Sequence, residues 1–132
     1  MQSTRIIVIA MLPVLSGLAG TASAQNNGRA PDPAVCADTA NPPKDVLTQG
    51  GCVAIERAKG NCDACHAVPG AASSNIGPPL AGVSRQLSDS DLRARIQNPE
   101  RFNPRTVMPP YGKHEILTPE EIDKLIAWLK TL

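Results

Sequence analysis

Cys62 and Cys65 are separated by two residues and followed at once by His66, so Cys62-Asp63-Ala64-Cys65-His66 spells the C-x-x-C-H pattern of covalent haem attachment. The spacing has a mechanical reason. Thiols about one helical turn apart reach the two vinyl groups on one edge of a porphyrin and form thioethers, and the adjacent imidazole then meets the iron through Nε2 as its proximal ligand. Two other chemistries use paired cysteines. A thioredoxin-like redox dithiol expects a βαβ setting, and no alternating strand pattern occurs in this chain. A structural zinc site needs a fourth ligand and usually a second Cys or His cluster, which the sequence lacks.

A distal ligand follows by elimination. Met1 and Met11 fall in a segment that reads as a removable leader, which leaves Met108 as the remaining methionine, in the proline-braced loop Met108-Pro109-Pro110. The plain alternative is a methionine filling a core gap. His114 is the competing iron ligand, and its own plain alternative is an exposed loop histidine. Histidine and methionine together fill both axial positions, leave no place for oxygen and favour the reduced iron. The expected work is electron transfer. Gly77-Pro78-Pro79-Leu80 offers a support for His66: an axial imidazole normally donates its other ring N–H to a carbonyl, and that of Pro78 is the candidate, unless the segment is simply a turn. Arg101, Arg105 and Lys113 are candidates for the haem propionates.

Cys36 and Cys52 are spread along the chain with no histidine nearby. In an oxidising compartment, and with an even cysteine count, they form a structural disulfide most simply. Closing a loop of about 15 residues stabilises a fold by roughly 3 kcal/mol in the chain-entropy account. The sharper alternatives are a sulfur-handling thiol at Cys36 or a bridge to a partner.

These residues need a scaffold, and 132 residues allow one small domain. Residues 1–24 read as a secretory signal: Arg5 supplies the positive start, 6–19 the apolar run, and Ala22-Ser23-Ala24 the cleavage site before Gln25. The apolar run, interrupted by Pro13, Ser16 and Gly17, falls short of the roughly 20 residues a spanning helix needs. No cysteine follows the cleavage site, which argues against a lipid anchor. A periplasmic protein without a membrane anchor is expected. Thirteen basic residues, Arg5 among them, face 12 acidic ones with no basic block, so a nucleic-acid or anionic-membrane footprint is absent. Phe102, Tyr111 and Trp128 are the whole aromatic content, so a buried macrocycle would help to fill the core.

Residues 25–43 read as an irregular arm and 44–132 as the folded domain. A helix is predicted over 44–59, where Leu47, Ala54 and Ala58 recur at helical spacing beside Val46 and Val53. Gly50 and Gly51 each cost that helix roughly 1 kcal/mol against alanine, which implies close approach of another helix. Residues 68–86 read as loop. Ser88 caps a second helix with Leu92 and Ile96 as its seam, ended by Asn98 and Pro99. A second proline-rich loop spans 103–112. Thr118, Pro119 and Glu121 open the last helix, whose apolar face is Ile122, Leu125, Ile126 and Leu129 with Trp128 beside it. The fold class is all-α, with short helices and long ordered loops that wrap a ligand.

The haem motif, the Gly-Pro-x-Leu loop, the Met-Pro loop and the terminal amphipathic helix together resemble class I cytochrome c over residues 50–132. The resemblance implies a fold whose first and last helices cross around one covalent haem c. It carries Cys62 and Cys65 as thioether anchors, His66 and Met108 as axial ligands, and Pro78 as acceptor. A finer likeness rests on Arg57, on Lys59-Gly60-Asn61-Cys62-Asp63-Ala64-Cys65-His66, on Ile76-Gly77-Pro78-Pro79-Leu80, on 103–112 and on the closing Leu129-Lys130-Thr131-Leu132. These blocks are similar to SoxX, the monohaem subunit of the SoxAX cytochrome. That likeness implies a heterodimer with a SoxA-like cytochrome subunit that holds the active-site cysteine, and a small cytochrome c as electron acceptor. It also implies that the chain has no catalytic residue of its own but accepts electrons within an L-cysteine S-thiosulfotransferase, which oxidatively joins thiosulfate to a carrier-protein cysteine. A free class I electron shuttle is the alternative, and a haem enzyme or gas sensor with an open site is a third reading.

Overall fold

The computed structural model describes residues 28–72 and 74–132, so the expected signal at 1–24 lies outside the described residues. Five helices appear among them: α1 (Pro33–Ala37), α2 (Val46–Ile55), α3 (Leu80–Gln86), α4 (Asp89–Gln97) and α5 (Pro119–Leu129), with 3-10 turns at Cys62–Ala64 and Pro99–Arg101. No strand is present among the described residues, and the fold is all-α.

Local chemistry opens the helices. In α5 the Thr118 hydroxyl accepts from the Glu121 amide at 3.2 Å and the Glu121 carboxylate accepts from the Thr118 amide at 2.9 Å, which satisfies two donors that the first turn leaves free. Asp45 caps α2 by accepting from the Thr48 amide at 2.8 Å. At α4 the Ser88 hydroxyl accepts from the Asp91 amide at 3.1 Å, while the shorter Asp91 side chain meets the Ser88 hydroxyl at 2.6 Å.

α2 and α5 pack across each other at the glycine pair. A Cβ on Gly50 would collide with the Lys124 carbonyl, and one on Gly51 would stand 2.9 Å from the Trp128 indole nitrogen and 2.7 Å from the Pro31 ring. The two glycines therefore lower helix propensity in exchange for backbone contact. Trp128 is fully buried at this crossing, and its indole N–H donates to the Arg29 carbonyl at 3.2 Å. Val53 and Ala54 of α2, Leu92 and Ile96 of α4, and Ile122, Leu125 and Leu129 of α5 complete a single core.

Three expectations change. The first long helix ends at Ile55 rather than 59 because the chain must turn there: the Gly60 amide bonds the Val53 carbonyl at 2.9 Å, and Asn61 takes a left-handed φ of 45° before the cysteine turn. The loop expected over 68–86 contains α3, since Pro79 stands at its N-cap and Gly82 within it meets open space. The arm holds α1, capped by Asp32, and Cys36 on that helix is disulfide-bonded to Cys52 of α2 with their Cα atoms 5.3 Å apart. The bond staples the arm to the helix crossing.

Candidate functional site

The turn at Cys62–Ala64 is closed by the Cys65 and His66 amides, which bond the Cys62 carbonyl at 3.1 and 2.8 Å. This tight winding places Cys62, Cys65 and His66 on one wall of a cavity of about 580 Å³. The loop before α3 backs that wall: the Gly77 amide bonds the Cys65 carbonyl at 2.7 Å and the Leu80 amide bonds the Ala67 carbonyl at 3.0 Å. His66 Nδ1 lies 2.7 Å from the Pro78 carbonyl oxygen. A carbonyl only accepts, so Nδ1 carries the proton and Nε2 is left as the free lone pair. Gly77 makes room for this pose, because a Cβ there would come within 2.5 to 3.0 Å of three ring atoms of His66.

Met108 lines the same cavity and packs partly buried against the core. Its amide bonds the Thr106 hydroxyl at 3.1 Å, and the following prolines hold the backbone extended. His114 is exposed and lies outside the lining. The structure thus brings His66 and Met108 to one space and leaves His114 apart.

Burial, followed by the neighbouring Asp63 charge, pushes the Cys62 thiol up to about 12. No cluster of three or more His, Cys, Asp and Glu suited to a metal ion occurs among the described residues, so the zinc alternative lacks a donor set.

Among the described residues, Arg95 and Arg105 are the arginine or lysine cations on the lining, and no carboxylate lines it. Of the expected propionate partners, Arg105 is there; Arg101 is not, and Lys113 is also off the lining and pairs with Glu100 at 2.7 Å. Arg95 was not among the expected residues. Its signal was helical register, one turn beyond Leu92 on the seam of α4. Its guanidinium sits 4.3 Å over the Phe102 ring. Tyr111 is another lining residue not expected at the site, and its hydroxyl donates to the Gly60 carbonyl at 2.5 Å.

The residues present fit haem c. The cavity lies within the size range of cofactor sites, its walls are largely apolar, two thiols sit on one turn, an imidazole nitrogen and a thioether reach the same space, and two cations are available for two carboxylates. Such a group supplies a one-electron iron couple. The chain's own part is to hold it, exclude water and fix the imidazole tautomer.

A family model described as cytochrome C oxidase, cbb3-type, subunit III matches residues 55–129, which contain the cysteine turn, both loops and α5. An "Uncharacterized lipoprotein" of Aquifex aeolicus (strain VF5) is 42% identical over 74 residues, 54% of this chain and 36% of that protein. The chain therefore spans about a third of the length of that relative.

Proposed function

The chain belongs to the family of the cbb3-type cytochrome c oxidase subunit III domain, a c-type cytochrome that transfers electrons through covalently bound haem c, and from that premise we propose that it is a periplasmic electron-transfer subunit of a SoxAX-type cytochrome. The observation that carries the reading is the convergence of Cys62, Cys65, His66 and Met108 on one cavity. In this reading Cys62 and Cys65 are the thioether anchors, and His66 and Met108 are the axial ligands. With both axial positions filled the protein relays electrons and activates no oxygen.

Sulfur oxidation is supported by the blocks similar to SoxX, since 59–66, 76–80 and 103–112 contribute most of the loop walls of the cavity. Ile76, Phe102 and Val107 line it while 70%, 46% and 80% exposed. They offer an apolar face on which a SoxA-like subunit docks and a small cytochrome c collects the electron. Export is supported by the Cys36–Cys52 bond, which suits an oxidising compartment, and by the leader-like residues 1–24. No helix among the described residues is long and apolar enough to cross a membrane.

The oxidase named by the family description favours a second reading, a free shuttle in a respiratory chain unconnected with sulfur. Isolation of the mature holoprotein from its native host separates the two. A SoxAX subunit copurifies with a cysteine-bearing cytochrome and is reduced by thiosulfate plus carrier protein only in that complex. A shuttle is isolated alone and exchanges electrons with an oxidase without thiosulfate.

A further inference from the structure

The segment that carries Met108 is tied at its ends, where the Asn103 amide bonds the Pro99 carbonyl at 3.1 Å and the Lys113 amide bonds the Gln97 carbonyl at 3.0 Å, but the hydrogen bonds around Met108 itself are local. Met108 is held through Thr106, whose amide bonds the Asn103 carbonyl at 3.0 Å, all within the loop. The knot of the segment is Tyr111. Its carbonyl takes the amides of Ile116 and Leu117 at 2.9 and 3.1 Å, and its amide bonds the Pro109 carbonyl at 3.0 Å. Its side chain is 7% exposed, and the hydroxyl crosses to the Gly60 carbonyl, 51 residues away in the chain.

Gly60 is itself fixed. It is buried, its amide is bonded to Val53, and a Cβ there would lie 2.6 Å from the Val53 carbonyl oxygen. Two residues later comes Cys62. One O–H···O bond therefore joins the loop bearing Met108 to the turn bearing Cys62, Cys65 and His66. Burial pushes the Tyr111 hydroxyl well above its usual range, so it remains a donor at any physiological pH.

We propose that Tyr111 is a positioning residue that clamps the Met108 loop to the cysteine turn and so sets how firmly Met108 holds the iron. The inference rests on the reading of Met108 as axial ligand. Tyr111 touches no iron; it acts by suppressing local opening of the loop. Loops with few buried contacts open well before the whole molecule unfolds, so loss of one tie shows first as ligand loss. Phenylalanine keeps the buried ring and removes only the hydroxyl, leaving the Gly60 carbonyl without this donor.

The test compares the wild-type and Tyr111→Phe holoproteins by titration with imidazole, which replaces methionine at the ferric iron. The sulfur-to-iron charge-transfer band reports the displacement. The clamp predicts about tenfold tighter apparent imidazole binding in Tyr111→Phe, the size expected for one lost hydrogen bond. Equal binding overturns it, even if the variant melts earlier, because that is the result of a merely structural role. A wild type that lacks the band overturns the ligand reading instead, and the clamp with it. If Tyr111→Phe yields no holoprotein, hydrogen exchange on the wild type decides. Imidazole must then speed exchange of the Ile116 and Leu117 amides, which Tyr111 holds, while leaving α5 amides such as Ile126 protected; no difference overturns the clamp.

Discussion

The His66 imidazole packs closely on Gly77, with a Cβ at that position excluded by ring atoms 2.5 to 3.0 Å away and with Nδ1 anchored 2.7 Å from the Pro78 carbonyl. The contact and the hydrogen bond act on one ring. A side chain at 77 would push the imidazole out of its bonding plane. Gly77→Ala is therefore expected to destabilise the holoprotein by about 1–3 kcal/mol, as overpacking generally does. It should also shift the ring resonances of His66 in paramagnetic NMR. Denaturant titration with those spectra checks both; an unperturbed His66 would mean that the loop yields at no cost.

The glycines of two helices make opposite predictions. Gly50→Ala gains roughly 1 kcal/mol of helix propensity but drives a methyl into the Lys124 carbonyl, so the α2–α5 crossing must spread. Net destabilisation of about 1–3 kcal/mol is expected from overpacking. Gly82 in α3 has nothing within 4 Å of its missing Cβ, and Gly82→Ala should stabilise by up to about 1 kcal/mol. Thermal or denaturant unfolding of the two variants reads the sign directly.

What was legible in the sequence was local. Thr118, Pro119 and Glu121 announce α5 because a capping box needs only neighbours along the chain, and the C-x-x-C-H turn likewise carries its geometry in its spacing. Pro78, Pro79 and Gly82 read as loop, because the same residues serve loops and helix starts; only packing against the His66 turn decides that α3 begins at Leu80. Arg95 and Tyr111 stayed hidden for a different reason. Helical register could place Arg95 beside Leu92, but the Phe102 ring and the Gly60 carbonyl that Arg95 and Tyr111 meet are brought to them by the tertiary fold, and no period in the sequence encodes those meetings.

Lys59 and Glu121 form an ion pair at 2.5 Å that ties the segment before the cysteine turn to the start of α5. Burial works to raise the Glu121 carboxyl, but the Lys59 ammonium and the Thr118 amide together hold it below its ordinary 4.5. The hydrogen bond to Glu121 and then its charge raise Lys59 above its ordinary 10.5. A depressed acid contributes stability above its unfolded pKa and loses it as pH falls through the folded one; a raised base contributes below its unfolded pKa and loses it as pH rises through the folded one. The pair therefore acts in full between about 4.5 and 10.5. Glu121→Gln keeps a capping-box side chain and removes the charge, so it should cost about 0.2–1 kcal/mol at neutral pH, as exposed pairs do. The loss should vanish at low pH, where denaturant curves of the two proteins converge; a constant gap down to acid would assign the effect to the cap instead.

Arg95 reaches the cavity lining from α4 with its guanidinium over Phe102, and with Arg105 it gives a largely apolar space its positive charge. Two consequences of removing it have the same sign. Loss of a nearby cation favours the ferric iron by simple electrostatics, and a haem propionate that Arg95 would pair with would then present the iron with a fuller negative charge. Arg95→Gln should thus lower the reduction potential by roughly 30–60 mV, a three- to tenfold shift for a one-electron couple at about 59 mV per decade. Such a carboxyl would also lose a charge that favours its ionised form, so the potential should climb more steeply as the pH is lowered than in the wild type. Arg95→Lys restores the charge without the planar stack on Phe102 and should recover only part of the drop. Spectroelectrochemical titration of the three holoproteins across acid and neutral pH reads both effects, and coincident curves would place Arg95 outside the electrostatic reach of the iron.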